Sequence, residues 1–314
     1  MRQAASPAVC WMILLTGIVA TACSFVFIRQ STDPPVTLAA WRVLLAAALL
    51  CPVYLRARRR YADAGYREVF SRSLLPGVVL AAHFVTWVIG ARLSLGANAT
   101  IIVNLVPLVM PVLLWLLFGE HLHRGEALAT LLAVAGLGIL AIDNLTLSTG
   151  YLAGDATCLV SMFLFALYLA LARRHSSLPS LWLYVVPVYA VAGAALLMVA
   201  PLFGQVIPAM DAMNLTMVLA LAAVSTVIGH SALNFAMQHM RGQTVGVMTL
   251  AQFIVAGLIA YWLYDEIPSV LFYPATALML SGMVLVMFNQ QADDVRTGAA
   301  GLSLKGRLAD REPR

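Results

Sequence analysis

The sequence predicts an all-α membrane protein of ten transmembrane helices, arranged as two inverted five-helix repeats. Three observations carry this prediction. Of the 314 residues, 62% are apolar and only 11% are charged, whereas a soluble domain carries about 25% charged residues. The apolar residues form ten stretches, each about long enough to cross a bilayer. The two halves of the chain also share residues at a constant offset of 146 positions.

The ten apolar stretches are separated by short polar, glycine or proline breaks. Each spanning helix needs about 20 apolar residues, and most of the breaks are long enough only for a turn. The exceptions are the basic segment 56–72 and the tail 291–314, whose Gly, Ala and charge content predicts disorder. The predicted spans are 9–29, 36–55, 74–92, 97–118, 125–142, 151–172, 180–204, 214–239, 243–264 and 268–289.

The basic residues predict the orientation of these spans. With the N-terminus inside, the cytoplasmic segments hold 16 of the 19 arginines and lysines, whereas the outer loops hold only Arg29 and Arg92. Basic flanks stay on the cytoplasmic side of a membrane. We therefore expect a multi-pass protein of the bacterial inner (plasma) membrane with both termini cytoplasmic. A cleaved signal peptide is disfavoured because the first apolar run continues through Phe25–Ile28.

The offset of 146 divides the chain into two repeats and a tail. It superimposes Gly96 on Gly242, Glu120 on Glu266 and Gly136 on Gly282. We expect a first repeat over 1–145, a second over 146–290 and a cytoplasmic tail over 291–314. Because each repeat has five helices, the second must enter the membrane from the opposite side. Inverted repeats of this kind place a substrate site near the bilayer midplane, between the halves.

Several short motifs carry a family resemblance. They are Gly119-Glu120, Asp265-Glu266, Leu105-Val106-Pro107, Ala40-Trp41-Arg42-Val43-Leu44 and Gly136-Leu137-Gly138. With these motifs and ten spans, the chain resembles the drug/metabolite transporter (DMT) superfamily, EamA type, and is most similar to bacterial amino-acid exporters of the YddG kind. The resemblance implies a basket of ten helices around a central cavity, and export of aromatic and other amino acids. The chain departs from it at Cys23-Ser24-Phe25, where many relatives have Trp-Gly, and at Phe253, where proline is common.

Polar side chains in the middle of predicted spans are costly, so each is a candidate binding residue. His83 lies at the middle of the third span, and Trp87 shares its helical face one turn later. The offset sends His83 to Gly229, beside His230, so both halves place an imidazole at nearly the same depth. The alternative is a histidine that only packs between helices. The remaining candidates were chosen because they lie on one helical face with another candidate, or because they lie in span 4, where proline releases a backbone carbonyl. They are Asn104, Pro107, Phe165, Tyr168, Asn234, Thr249 and Gln252.

Charged residues narrow the possible chemistry. Arg42 lies about 9 Å below the outer end of the second span, where it either snorkels to the surface or contacts a substrate carboxylate. All fourteen acidic residues fall in predicted loops, span ends or the tail, which disfavours a cation/proton antiporter. We found no catalytic sequence motif, and we expect no cofactor, no metal and no nucleic-acid partner.

The pattern as a whole predicts a secondary transporter rather than an enzyme. We expect export of amino acids or similar small metabolites by alternating access, facilitative or weakly coupled, through a neutral polar-aromatic pocket. The expected partners are the small-molecule substrate and the lipid bilayer, with the protein a monomer. The alternatives are a gated channel-like conduit and an exporter of amphipathic drugs or other metabolites.

The charge asymmetry makes the topology testable. A reporter enzyme that is active only in the periplasm, fused after Arg314, is expected to be inactive because the C-terminus lies in the cytoplasm. The same reporter fused after Asn144, in a predicted outer loop, is expected to be active. Activity of the Arg314 fusion would contradict the predicted orientation.

Overall fold

The computed structural model is all-helical in the part of the chain that it describes, residues 6–62, 65–94, 96–144, 149–175, 177–204, 206–209, 211–265 and 267–309. Ten of its helices are long and apolar enough to cross a membrane. The predicted fold class and the number of spans are therefore confirmed, and the chain is a multi-pass membrane protein.

Six of the ten spans run without a break. Several extend beyond their predicted ends at the basic segments, because arginine-rich flanks continue a helix after the apolar run has ended. These six are span 2 (Pro35–Arg60), span 3 (Tyr66–Leu93), span 5 (Arg124–Asn144), span 6 (Leu152–Arg174), span 7 (Trp182–Val199, followed by a 3₁₀ turn at Ala200–Phe203) and span 10 (Phe272–Ala309).

The other four spans are interrupted. Span 1 consists of Pro7–Ala22 and Ser24–Gln30, span 4 of Gly96–Val103 and Val106–Phe118, and span 9 of Gly242–Met248 and Ala251–Tyr264. Span 8 consists of Ala212–Ala220, a π-helical stretch Leu221–His230, and Ser231–His239. Interrupted helices are typical of the substrate sites of secondary transporters, and π-helical stretches often occur at functional sites.

The breaks in spans 4 and 9 fall at equivalent positions of the two halves. In span 4 the Asn104 side chain donates to the Thr100 carbonyl at 2.8 Å, just before Pro107. In span 9 the Thr249 hydroxyl donates to the Gly246 carbonyl at 2.6 Å. Side chains of this kind compete with the backbone for helical carbonyls. The break in span 9 therefore forms without the proline that marks span 4.

Helix packing across the two halves follows a symmetric pattern. Span 2 packs on span 7 and span 5 on span 10, so each of these helices meets its own counterpart. Span 3 packs on span 6, and span 1 packs on span 8. Because span 8 is the counterpart of span 3 and span 1 is the counterpart of span 6, the second contact is the repeat equivalent of the first. The division of the chain at residue 145 stays a prediction.

Gly136 and Gly282 make reciprocal close contacts between spans 5 and 10. A Cβ on Gly136 would lie 2.5 Å from the Ala275 carbonyl oxygen, and a Cβ on Gly282 would lie 2.5 Å from the Ala129 carbonyl oxygen. Ala129 and Ala275 are themselves 146 positions apart. Small residues allow two helix backbones to approach closely in a membrane, so the two glycines set the spacing of spans 5 and 10.

Two sequence expectations need comment. Span 10 continues as a helix to Ala309, so most of the tail predicted to be disordered is helical in the structure; it lacks proline from residue 291 to 309, which permits the helix to continue. Glu266, the predicted counterpart of Glu120, lies outside the described residues.

The glycine contacts predict a position-specific loss of stability. Gly136→Val is expected to lower the melting temperature of the purified protein, because overpacking costs about 1–3 kcal/mol and the nearest atom is backbone. Gly138→Val, on the same helix, is the matched control, since a Cβ there meets no atom within 4 Å. Equal melting temperatures for the two variants would contradict the packing described here.

Candidate functional site

A cavity of about 730 Å³ lies among spans 1, 2, 3, 4, 6, 8 and 9. We name the two ends of the bundle by residues in their loops: the Asp33 end, between spans 1 and 2, and the Glu120 end, between spans 4 and 5. Ser31 and Arg92 line the cavity close to the Asp33 end, and Phe165 and His230 line it near the middle of the bundle. The cavity therefore reaches from one end to mid-depth, the level at which an inverted repeat places its substrate.

Four rings pack together at the inner end of the cavity, and we call them the aromatic cluster: His83, Phe84, Phe165 and His230. His83 stacks on Phe165, with ring centroids 4.8 Å apart and an interplanar angle of 19°. His230 meets Phe84 edge-on at 5.4 Å and Phe165 edge-on at 5.9 Å. All four line the cavity. They offer ring surface and imidazole nitrogens at the same place.

His83 packs between two helices and also lines the cavity, so its position is compatible with both of the roles that the sequence left open. Its Nδ1 lies 2.9 Å from the Ser161 hydroxyl oxygen and 3.0 Å from the Ser161 carbonyl oxygen, so it fastens span 3 to span 6. It also lines the cavity, and Trp87, one turn later, lines it too. The imidazole is thus held in a fixed orientation at the cavity wall.

The structure brings six of the ten predicted site residues to the cavity wall. These are His83, Trp87, Asn104, Phe165, His230 and Gln252. They come from spans 3, 4, 6, 8 and 9, and hence from both halves of the chain. The signals that found them were depth in the predicted span, a shared helical face and the offset of 146 positions.

The other four predicted residues lie elsewhere. Tyr168 and Asn234 are fully buried, and the Asn234 amide donates to the Tyr168 hydroxyl at 2.5 Å, so their polar groups serve helix packing. The Thr249 hydroxyl is bound within its own helix. The Pro107 carbonyl, expected to be available to the cavity, accepts from the Gln243 amide at 3.1 Å instead.

Arg42 does not snorkel to the surface, and that expectation was wrong. Its side chain is buried, with 4% exposure, and it lines the cavity. Its Nε donates to the Thr226 hydroxyl at 3.0 Å, and its Cζ lies 4.3 Å from the centroid of the Phe84 ring. The cavity reaches the guanidinium from the Asp33 end, so the side chain is held inside the bundle.

The cavity wall is basic rather than neutral, which corrects a second expectation. Arg29, Arg42 and Arg92 all line it, and no aspartate or glutamate is found among its described lining residues. Counting the acidic residues of each span did not reveal this. The signal lay in the arginines of spans 1, 2 and 3 toward the Asp33 end, which the folded chain brings to one cavity.

Ion pairs connect the helices at the Glu120 end. Arg173 Nε lies 2.7 Å from a Glu120 carboxylate oxygen, and Arg241 Nε lies 2.5 Å from a Glu126 carboxylate oxygen. A second nitrogen of Arg241 lies 2.9 Å from the other oxygen of Glu126. The cavity-lining residues lie between mid-depth and the Asp33 end, so these pairs lie at the end that the cavity does not reach.

In the part of the chain that the structure describes, ten membrane-spanning helices surround a cavity that reaches mid-depth. Residues 6–142 match the EamA-like transporter family. This match indicates a membrane transporter of small molecules. A solved structure, titled "Crystal structure of protein", has a TM-score of 0.76 to this chain at 18% identity and covers 91% of this chain and 99% of its own. No curated protein matches the chain.

Proposed function

We propose that the protein is a secondary transporter that exports amino acids, aromatic or other neutral ones, or similar small metabolites across the inner membrane. Transport would proceed by alternating access and be facilitative or weakly coupled. The observation that carries the proposal is the aromatic cluster at the inner end of the cavity, beside the polar side chains of Asn104 and Gln252. Ligand sites in proteins combine apolar and aromatic surface with a few placed polar groups in this way.

The closed end of the bundle favours alternating access over a continuous conduit. A conduit needs a path through both ends, whereas the cavity stops near mid-depth and the Glu120 end is joined by the ion pairs of Arg173 and Arg241. The basic wall also argues against cationic amphipathic drugs as the main substrates, because like charges repel.

In this proposal the interrupted spans are the part of the protein that moves. The segment Val106–Phe118 of span 4 buries Met110, Leu113 and Leu114 against the bundle, whereas its counterpart in span 9, Ala251–Tyr264, has no buried residue. One segment is packed and the other stands open beside the cavity. If the halves are inverted repeats, exchanging these two arrangements would close the Asp33 end and open the Glu120 end.

The lining of the cavity predicts which substitutions reduce transport. His83→Ala and Trp87→Ala are each expected to cut amino-acid uptake into proteoliposomes at least about tenfold, because both remove side chains from the cavity wall. His121→Ala and Trp115→Ala, at exposed positions outside the cavity, are the matched controls and are expected to transport normally.

The melting temperature of the same purified variants separates binding from packing. If His83 serves only to fasten span 3 to Ser161, His83→Ala would lower the melting temperature while correctly folded protein keeps near-normal uptake. Near-normal uptake by both the His83 and the Trp87 variants would contradict the proposal that the cavity is the amino-acid site.

The energy source is testable with gradients alone. Because the described cavity wall has no carboxylate, Na⁺ finds no anionic oxygen ligand of the kind that hard cations prefer. Uptake is therefore expected to follow a substrate gradient in sodium-free buffer, at a rate that an added sodium gradient leaves unchanged. A strict requirement for sodium would point to an ion site outside the cavity wall.

A further inference from the structure

We propose that Arg42 is the anion-binding residue of the cavity, and that the transported molecules are carboxylates carrying an apolar or aromatic group. The inference rests on the proposed function only in taking this cavity as the transport site. It does not require that the substrate be an amino acid.

The first argument is the uncompensated charge of Arg42. A buried cation is costly unless an anion or several hydrogen bonds compensate it. Among the described residues, Arg42 forms no ion pair, and its one hydrogen bond is from Nε to the neutral Thr226 hydroxyl. A guanidinium in these surroundings gains more from an anionic ligand than one that already pairs with a carboxylate.

The second argument is the geometry of the guanidinium. Thr226 and the Phe84 ring hold it from two sides, at 3.0 Å from Nε and 4.3 Å from Cζ. These contacts leave the two terminal nitrogens without a hydrogen bond to any described residue, on a side chain that lines the cavity. Two parallel N–H donors match the two oxygens of a carboxylate, which makes arginine the preferred side chain for this group.

The third argument is the surface next to Arg42. Phe84 touches the guanidinium and also belongs to the aromatic cluster, where it meets His230. A ligand whose carboxylate binds Arg42 would therefore place its neighbouring carbons against aromatic rings.

The amino group of an amino acid has a weaker complement. The described cavity wall offers no carboxylate to an ammonium, and Arg29 and Arg92 add positive charge. Only neutral acceptors such as the Gln252 amide are available to it. We infer that the carboxylate is required for binding and that the amino group is tolerated.

Three ligands that differ in one group test this inference. They are phenylalanine, 3-phenylpropanoate, which lacks the amine, and phenethylamine, which lacks the carboxylate. Thermal-shift titration of the purified full chain is expected to show binding of the first two, with phenethylamine weaker than 3-phenylpropanoate by about tenfold or more. Equal or tighter binding of phenethylamine would overturn the proposal.

Variants of Arg42 supply the second arm. Arg42→Met removes the charge but keeps an unbranched apolar side chain, and Arg42→Lys keeps the charge but loses the two parallel donors. Both are expected to weaken 3-phenylpropanoate binding about tenfold or more, with Arg42→Met losing most. Arg124→Gln, at an exposed arginine outside the cavity, is the matched control and is expected to bind like the unaltered chain.

The melting temperature without ligand distinguishes an anion-binding residue from a structural one. If Arg42 lacks a compensating anion in the empty protein, Arg42→Met is expected to melt at or above the temperature of the unaltered chain. A lower melting temperature together with unchanged carboxylate affinity would show a structural role and overturn the proposal. If Arg42→Met does not fold, the ligand comparison on the unaltered chain and Arg42→Lys still decides.

The results also separate this inference from the proposed function. Arg42-dependent binding of 3-phenylpropanoate without transport of any amino acid would support the anion site and reject amino-acid export. Normal amino-acid uptake by Arg42→Met would reject the anion site and leave amino-acid export standing.

Discussion

In the hydrocarbon core of a bilayer, a polar group is satisfied only by other protein groups or by a cavity that admits water. This constraint decides where the helices of this protein can break. The interruptions of spans 4 and 9 lie beside the cavity, where the side chains of Asn104 and Thr249 take helical carbonyls as partners. The π-helical stretch of span 8 ends at His230, on the cavity wall. The breaks, the cavity and the polar side chains at mid-depth therefore form one feature.

Sequence reasoning predicted the fold well because the bilayer imposes a length and a composition on every span. Pro107 predicted a released carbonyl in span 4, close to where the helix breaks, but span 9 has Phe253 at the equivalent position and gave no such signal. The site was predicted less well. Periodicity places Phe165 and Tyr168 on neighbouring parts of one helix face, yet Phe165 lines the cavity and Tyr168 is fully buried. The periodicity of a sequence shows which residues share a helix face, but it does not show which neighbouring helix packs on that face.

Arg42 illustrates the same limit for charge. From the sequence alone, depth in the span allowed either snorkelling or anion binding. The structure excludes snorkelling, because the side chain is buried and lines a cavity whose other walls come from spans 1, 3, 4, 6, 8 and 9. The polarity of the wall has the same origin, since Arg29 and Arg92 come from the ends of different spans and meet only in the fold.

The two ends of the bundle are held by different forces, which bears on how the transporter could change state. At the Glu120 end, the ion pairs join Glu120 and Glu126 of the first half to Arg173 and Arg241 of the second. Under the offset of 146, the positions of Arg173 and Glu126 correspond to Phe27 and Phe272, so the Asp33 end has no equivalent pairs there.

Opening the Glu120 end must break these contacts between the halves. The side chains of Arg173 and Glu120 are 28% and 13% exposed. Because water already reaches this pair, its loss costs less free energy than the loss of a fully buried pair. A substrate bound at mid-depth can compensate for that cost only if it binds more tightly to the state in which the Glu120 end is open.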